Sequence, residues 1–135
     1  MNKQEAYNAV TRKISVSVQP VFLEDESEPE EDRYIWAYQI EIENQGSETV
    51  QLKSRHWSII NAHGQTEEVF GDGVVGEQPI LKPGDAFEYT SGAPLSTPSG
   101  FMRGTYQMLD GQGKEFDIEI PAFSLDSPHD THLLN

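Results

Sequence analysis

Apolar and polar side chains alternate one by one along most of this chain. Ile14, Val16 and Val18 alternate with Ser15, Ser17 and Gln19, and Trp36, Tyr38, Ile40 and Ile42 with Ala37, Gln39, Glu41 and Glu43. The same period runs through Val50–Lys53, Phe87–Thr90, Thr105–Met108 and Phe116–Ile120. Successive side chains of an extended strand point to opposite faces, so each segment predicts a strand with one buried and one wetted face. No long window carries a helical stripe, although residues 2–10 could form a short helical turn. Asn44-Gln45-Gly46, Ala62-His63-Gly64, Lys82-Pro83-Gly84-Asp85 and Asp110-Gly111-Gln112-Gly113 supply turn chemistry between the strands. Short strands punctuated in this way predict an antiparallel sandwich or barrel. Pro20 cannot donate to a ladder, which places it at an edge or a bend.

The alternation breaks phase once. Val50 and Leu52 put even positions inward, whereas Trp57 and Ile59 put odd positions inward. A β-bulge or kink is therefore expected at Ser54-Arg55-His56. Bulges re-aim side chains, which makes Arg55 and His56 candidate site residues. The plainer expectation is that the strand crosses there from one sheet to the other. Trp57, in phase with Ile59, is expected in the core.

The chain of 135 residues suits a single domain, with a core over about 14–125. It carries 9 Lys and Arg against 23 Asp and Glu, a net charge of −14. Such a surface repels phosphate backbones and anionic lipid, so neither nucleic acid nor membrane is an expected partner. With no cysteine, disulfides, thiolate nucleophiles and thiolate metal sites are excluded. No export signal or bilayer-spanning apolar run is visible, which gives a cytoplasmic location as the expectation. Seven acids fall within residues 24–32, and their mutual repulsion predicts a mobile, solvated acidic loop rather than a metal site. Residues 126–135 read as a flexible tail. His129 and His132 lie in it at a spacing that suits adventitious metal binding.

Gly71-Asp72-Gly73-Val74-Val75-Gly76 matches G-x-G-x-x-G. That pattern binds a pyrophosphate when a strand precedes it and a helix follows. Thr66–Phe70 could be the strand, but Pro79 and Pro83 forbid the helix. Glu67, Glu68, Asp72 and Glu77 would repel a bare phosphate. The expectation is a long connecting loop, with an anion nest of backbone amides as the alternative if a divalent ion bridges ligand and acids. No nucleophile elbow, zinc-protease motif or placed acid–base pair occurs, so no catalytic, metal or cofactor residue is assigned. Ser91–Pro94 and Thr97–Gly100 read as loops.

Arg55-His56-Trp57, Gly71–Pro79, Pro83-Gly84, Tyr89–Gly92, Gly100–Tyr106 and Ile120–Phe123 together resemble the ApaG (CorD) family in order and spacing, over about Ile14 to Leu125. The resemblance implies an all-β, fibronectin type III-like or immunoglobulin-like antiparallel β-sandwich. It also implies links, by name, to cobalt resistance and magnesium efflux and, by gene context, to a diadenosine tetraphosphatase. Related domains in F-box and polymerase-interacting proteins suggest a protein-interaction module, and the family's glycine motif has been proposed to hold nucleotide phosphates. The expected function is thus a non-enzymatic module that binds a protein partner. The alternative is Mg²⁺-dependent nucleotide or pyrophosphate binding at Gly71, Gly73 and Gly76. Arg55, His56 and these three glycines are the candidate contacts, and the oligomeric state is left open.

Overall fold

The computed structural model describes residues 6–130. Among them the strands are β1 Tyr7–Thr11, β2 Ile14–Phe22, β3 Tyr34–Asn44, β4 Val50–Asn61, β5 Thr66–Asp72, β6 Ile80–Leu81, β7 Ala86–Leu95, β8 Ser99–Leu109 and β9 Glu115–Asp126. Short 3-10 turns, Glu24–Glu26 and Pro29–Glu31, lie between β2 and β3. The strands pair antiparallel in two sheets, β1-β2-β3-β7 and β5-β4-β8-β9, with β6 joined to the start of β4. The fold is the expected antiparallel β-sandwich.

Alternation becomes the core. Ile14, Val16 and Val18 of β2 and Trp36, Tyr38, Ile40 and Ile42 of β3 face Met102, Tyr106 and Met108 of β8 and Ile118, Ile120, Phe123 and Leu125 of β9, all buried. Burying each such large side chain contributes roughly 1.5–3 kcal/mol. Trp36 is buried with its indole N–H donating to the Asp126 carbonyl at 2.9 Å, which removes the penalty of an unpaired donor. Trp57 is in the core as expected, edge-on to Tyr38 and Phe123 with ring centres 5.4 and 5.9 Å away.

The four turn segments all reverse the chain. Gly64, Gly84 and Gly113 take positive φ in three of them. In the remaining one the buried Asn44 side chain accepts from the Gly46 amide and donates to the Glu48 and Leu81 carbonyls.

Several expectations are corrected. The described part of residues 2–10 is not helical: Tyr7–Thr11 forms β1, paired from Tyr7↔Val18 to Thr11↔Ile14. A single helical turn is unstable by itself, whereas a hairpin docks on a strand already in place. Pro20 lies past Val18, where the described pairing with β1 ends, and so at a local edge. The bulge is real but sits at Lys53, between the pairs Leu52↔Met108 and Ser54↔Gln107. β4 does not cross between sheets there. It changes its outer neighbour instead, from β6 at Val50 and Gln51 to β5 from Ser54 onward.

Ser91–Pro94 is strand rather than loop, since β7 stays paired with β3 as far as Tyr34↔Leu95. β7 is the outermost strand of its sheet, where proline is tolerated. Ser99 and Gly100 likewise begin β8. The acids of 24–32 are all exposed, on two 3-10 turns. The segment from Asp126 to Asp130 is packed rather than loose. The Ser127 hydroxyl donates to the Pro98 carbonyl at 2.6 Å, and the His129 ring lies against Phe22 and Tyr34 with Nε2 3.0 Å from Glu24. His132 lies outside the described residues. No helix among those described is long and apolar enough to cross a membrane.

Candidate functional site

The extra residue at Lys53 sets the phase of everything after it on β4. Arg55 shares the inward face with Trp57, and His56 takes the outward one. The two neighbours therefore belong to opposite faces of the sheet and cannot form one site.

Arg55 lies between its register partners Gly71 of β5 and Tyr106 of β8. Its Nη1 donates to the carbonyls of Asp72 at 3.1 Å and Gly73 at 2.7 Å. A Cβ at Gly71 would sit 2.7 Å from three guanidinium atoms, so that glycine makes room for the arginine. The chain then leaves β5 without starting a helix. The Gly73 amide donates to the carbonyl of the bulged Lys53 at 2.8 Å. Val74 and Glu77 exchange two backbone bonds of 2.8 Å. Between them, Val75 and Gly76 both have positive φ, at 43° and 82°, as a type I′ hairpin turn requires. Val74 is buried in the core. The motif is thus a small hairpin, plugged by Val74 and braced by Arg55, that links β5 to β6. The amides of Gly73, Val74 and Glu77 are engaged with backbone carbonyls, which leaves those of Val75 and Gly76 at the tip.

Beneath the brace, three phenols meet in the core. The Tyr89 hydroxyl of β7 and the Tyr106 hydroxyl of β8 bond across the two sheets at 2.5 Å, and the Tyr38 hydroxyl bonds to the Ser91 side chain. Burial pushes the ionisation of all three upward, well upward for Tyr89 and Tyr106, with Arg55 pulling the other way. Phenols held neutral are donors and acceptors for one another, not bases. A folded-state value raised above the unfolded one leaves stability intact below the ordinary tyrosine value and removes it as pH rises through the folded values. In an alkaline titration followed by phenolate absorbance, Tyr38, Tyr89 and Tyr106 are expected to ionise together with loss of near-UV circular dichroism. Reversible ionisation of all three in a folded chain would contradict that.

The outward face of β4, β5 and β8 carries a second cluster. The His56 ring stacks on Phe70 at 4.2 Å with planes 9° apart, and its Nε2 lies 2.6 Å from Glu68. The Ser58 hydroxyl also donates to Glu68. His56 first and Ser58 second hold the Glu68 carboxyl below the usual carboxylate range. Both side chains meet the carboxylate rather than each other, so histidine does not activate serine. Phe70 is 72% exposed, and Val75, Ile80 and Phe101 are also exposed. Sequence reasoning missed Phe70 and Glu68. Phe70 falls out of phase with Val69, and the pairing His56↔Phe70 is what makes that meaningful. It also missed the tyrosine pair, whose partners are seventeen residues apart.

Two antiparallel layers, one of them carrying a glycine hairpin braced by Arg55 and an exposed Phe70 stacked on His56, define an antiparallel β-sandwich. A family model described as the ApaG domain matches residues 24–110. The chain belongs to the ApaG domain family. Protein ApaG of Rhodospirillum centenum is 60% identical over 123 residues, which span 91% of this chain and 95% of that protein. Protein ApaG of Paramagnetospirillum magneticum is 59% identical over 129 residues, spanning 96% and 99%. A crystal structure of an ApaA protein from Bordetella pertussis is similar with a TM-score of 0.83 at 45% identity, covering 87% of this chain and 95% of that one.

Proposed function

We propose that this chain is a non-enzymatic, cytoplasmic binding module that docks a protein partner on the outward face of β4, β5 and β8. Phe70 carries the reading. An aromatic ring 72% exposed and fixed by a stacked histidine is an anchor already ordered before binding, which lowers the entropy lost on association. Ile80 and Val75 extend the apolar rim along the outer edge of the sheet, among Glu67, Glu68, Asp72 and Glu77. The partner that fits is a pocket for an aromatic ring bordered by Lys and Arg. Any link to cobalt or magnesium then runs through that partner.

A bait carrying Phe70→Asp is expected to lose at least about tenfold of the captured partner relative to the unaltered chain. Its fold should be kept with only a small fall in unfolding midpoint, because the ring is exposed and gives up no more than its stack on His56. Equal capture by both baits would refute the reading.

A second reading draws on the positive-φ pair at the hairpin tip: the Val75 and Gly76 amides receive a pyrophosphate bridged by Mg²⁺. Titration of ATP with and without Mg²⁺ should then shift amides at Gly73–Glu77 and nowhere else. Silence at millimolar ligand would end it.

A further inference from the structure

We propose that a cleft at the far end of the β1–β2 hairpin binds a small carboxylate carried on an apolar group. The cleft has a volume of about 260 Å³, just below the range usual for drug-sized ligands. That suits a free organic acid or the last residue of a peptide. Its floor is apolar, from Ile14, Val50 and Phe116, and its rim is polar, with Arg12 and Lys13 on one side and Ser47 and Glu48 on the other. Two cations and one carboxylate line it, and Asp110 stands 3.8 Å from Arg12, which makes the site close to neutral on a chain whose net charge is −14. That balance matches a monoanion better than a phosphate dianion.

Arg12 is prepared for the role. Its guanidinium lies 4.0 Å from the centre of the Phe116 ring, which orients it without engaging its donors. The nearest carboxylate, Asp110, is 3.8 Å away, too far for a hydrogen bond. The Lys114 and Gln112 amides both donate to Asp110 Oδ1 and hold its carboxyl below the ordinary range ahead of the effect of Arg12, which faces Oδ2. The planar fork is paired with Asp110 by charge alone and keeps its donors for a bidentate partner. Lys13 makes no ion pair among the described residues. The Lys13 carbonyl accepts from the Gln45 amide at 2.8 Å, which ties the hairpin tip to the opposite rim. Arg12 and Lys13 occupy the turn with φ of 49° and 64°. Asn-Gly would adopt that backbone more readily, so the two cationic side chains stand where the turn itself does not call for them.

The test uses benzoate, acetyl-alanyl-phenylalanine, the C-terminal amide of that dipeptide, and inorganic phosphate, each titrated to about 10 mM against amide resonances of the full chain. Benzoate, the dipeptide acid or both should shift Lys13, Gly46, Ser47 and Val50, and whichever binds tighter identifies the source as a free acid or a chain terminus. The dipeptide amide should bind at least about tenfold more weakly than the acid. Arg12→Gln and Lys13→Gln should each weaken binding severalfold while leaving resonances outside the cleft in place, and Lys13→Gln touches only an exposed side chain. Equal binding of acid and amide, stronger shifts with phosphate than with either acid, binding unchanged in both variants, or no shifts at these residues would each overturn the proposal.

Discussion

Replacing Gly73 with alanine is expected to destabilise the chain by about 3 kcal/mol, an unfolding midpoint roughly 10 °C lower for a domain of this size. The loss has three sources. The residue sits at φ 63°, where an L side chain is strained. The new Cβ would lie 2.3 Å from the Glu77 carbonyl oxygen, an atom of the backbone that cannot rotate aside. Moving Glu77 breaks its paired bonds with Val74, and Val74 is a buried core residue. The other two glycines of the motif have different jobs and smaller costs. Gly76→Ala keeps the strain of φ 82° but meets nothing within 4 Å, so about 1 kcal/mol is expected. Gly71→Ala meets the Arg55 guanidinium first, which can swing away at the loss of its two carbonyl bonds, for about 2 kcal/mol. Chemical denaturation of the three variants should therefore rank Gly73 above Gly71 above Gly76. A Gly76 variant as unstable as the Gly73 one would defeat the account.

That ranking shows where the sequence was legible and where it stopped. Alternation located the inward faces of β2, β3 and β9 because a period of two has one meaning on a half-buried sheet. The phase change between Leu52 and Trp57 gave away the bulge to within a residue of Lys53. The prolines after Gly76 correctly excluded a helix. What local pattern could not carry was pairing. β1 has few apolar residues to mark it and exists because β2 offers an edge. Ser91–Pro94 looks like a loop until β3 imposes the extended form on it. The split between Arg55 and His56 is a matter of sheet geometry, and chain adjacency suggested the opposite. Phe70 acquires its role from His56 across a strand pair, and Tyr89 from Tyr106 across the two layers. The G-x-G-x-x-G spacing was visible from the start, yet three separate constraints produce it: room for a guanidinium, room for a carbonyl, and a left-handed turn.

The same geometry makes Arg55 the side chain whose loss should propagate furthest. Arg55→Met retains the length and apolar stem but removes the donors to the Asp72 and Gly73 carbonyls. It also removes the charge facing Tyr38, Tyr89 and Tyr106. The expected cost is about 3 kcal/mol, with the Gly71–Glu77 hairpin the first part to exchange its amide protons. Arg55→Lys should recover less than half of it. One ammonium is a point charge without the planar guanidinium that lies flat on Gly71 and aims Nη1 at both carbonyls. Removing a hydroxyl from the pair below separates the two effects. Tyr106→Phe costs about 1–2 kcal/mol through its bond to Tyr89 but leaves the carbonyl brace alone. The phenols are neutral at ordinary pH and Arg55 favours only their ionised form, so the Arg55→Met and Tyr106→Phe losses should add to within about 0.5 kcal/mol at neutral pH. Hairpin amides no more labile in Arg55→Met than in the parent would mean that the arginine does not brace the loop.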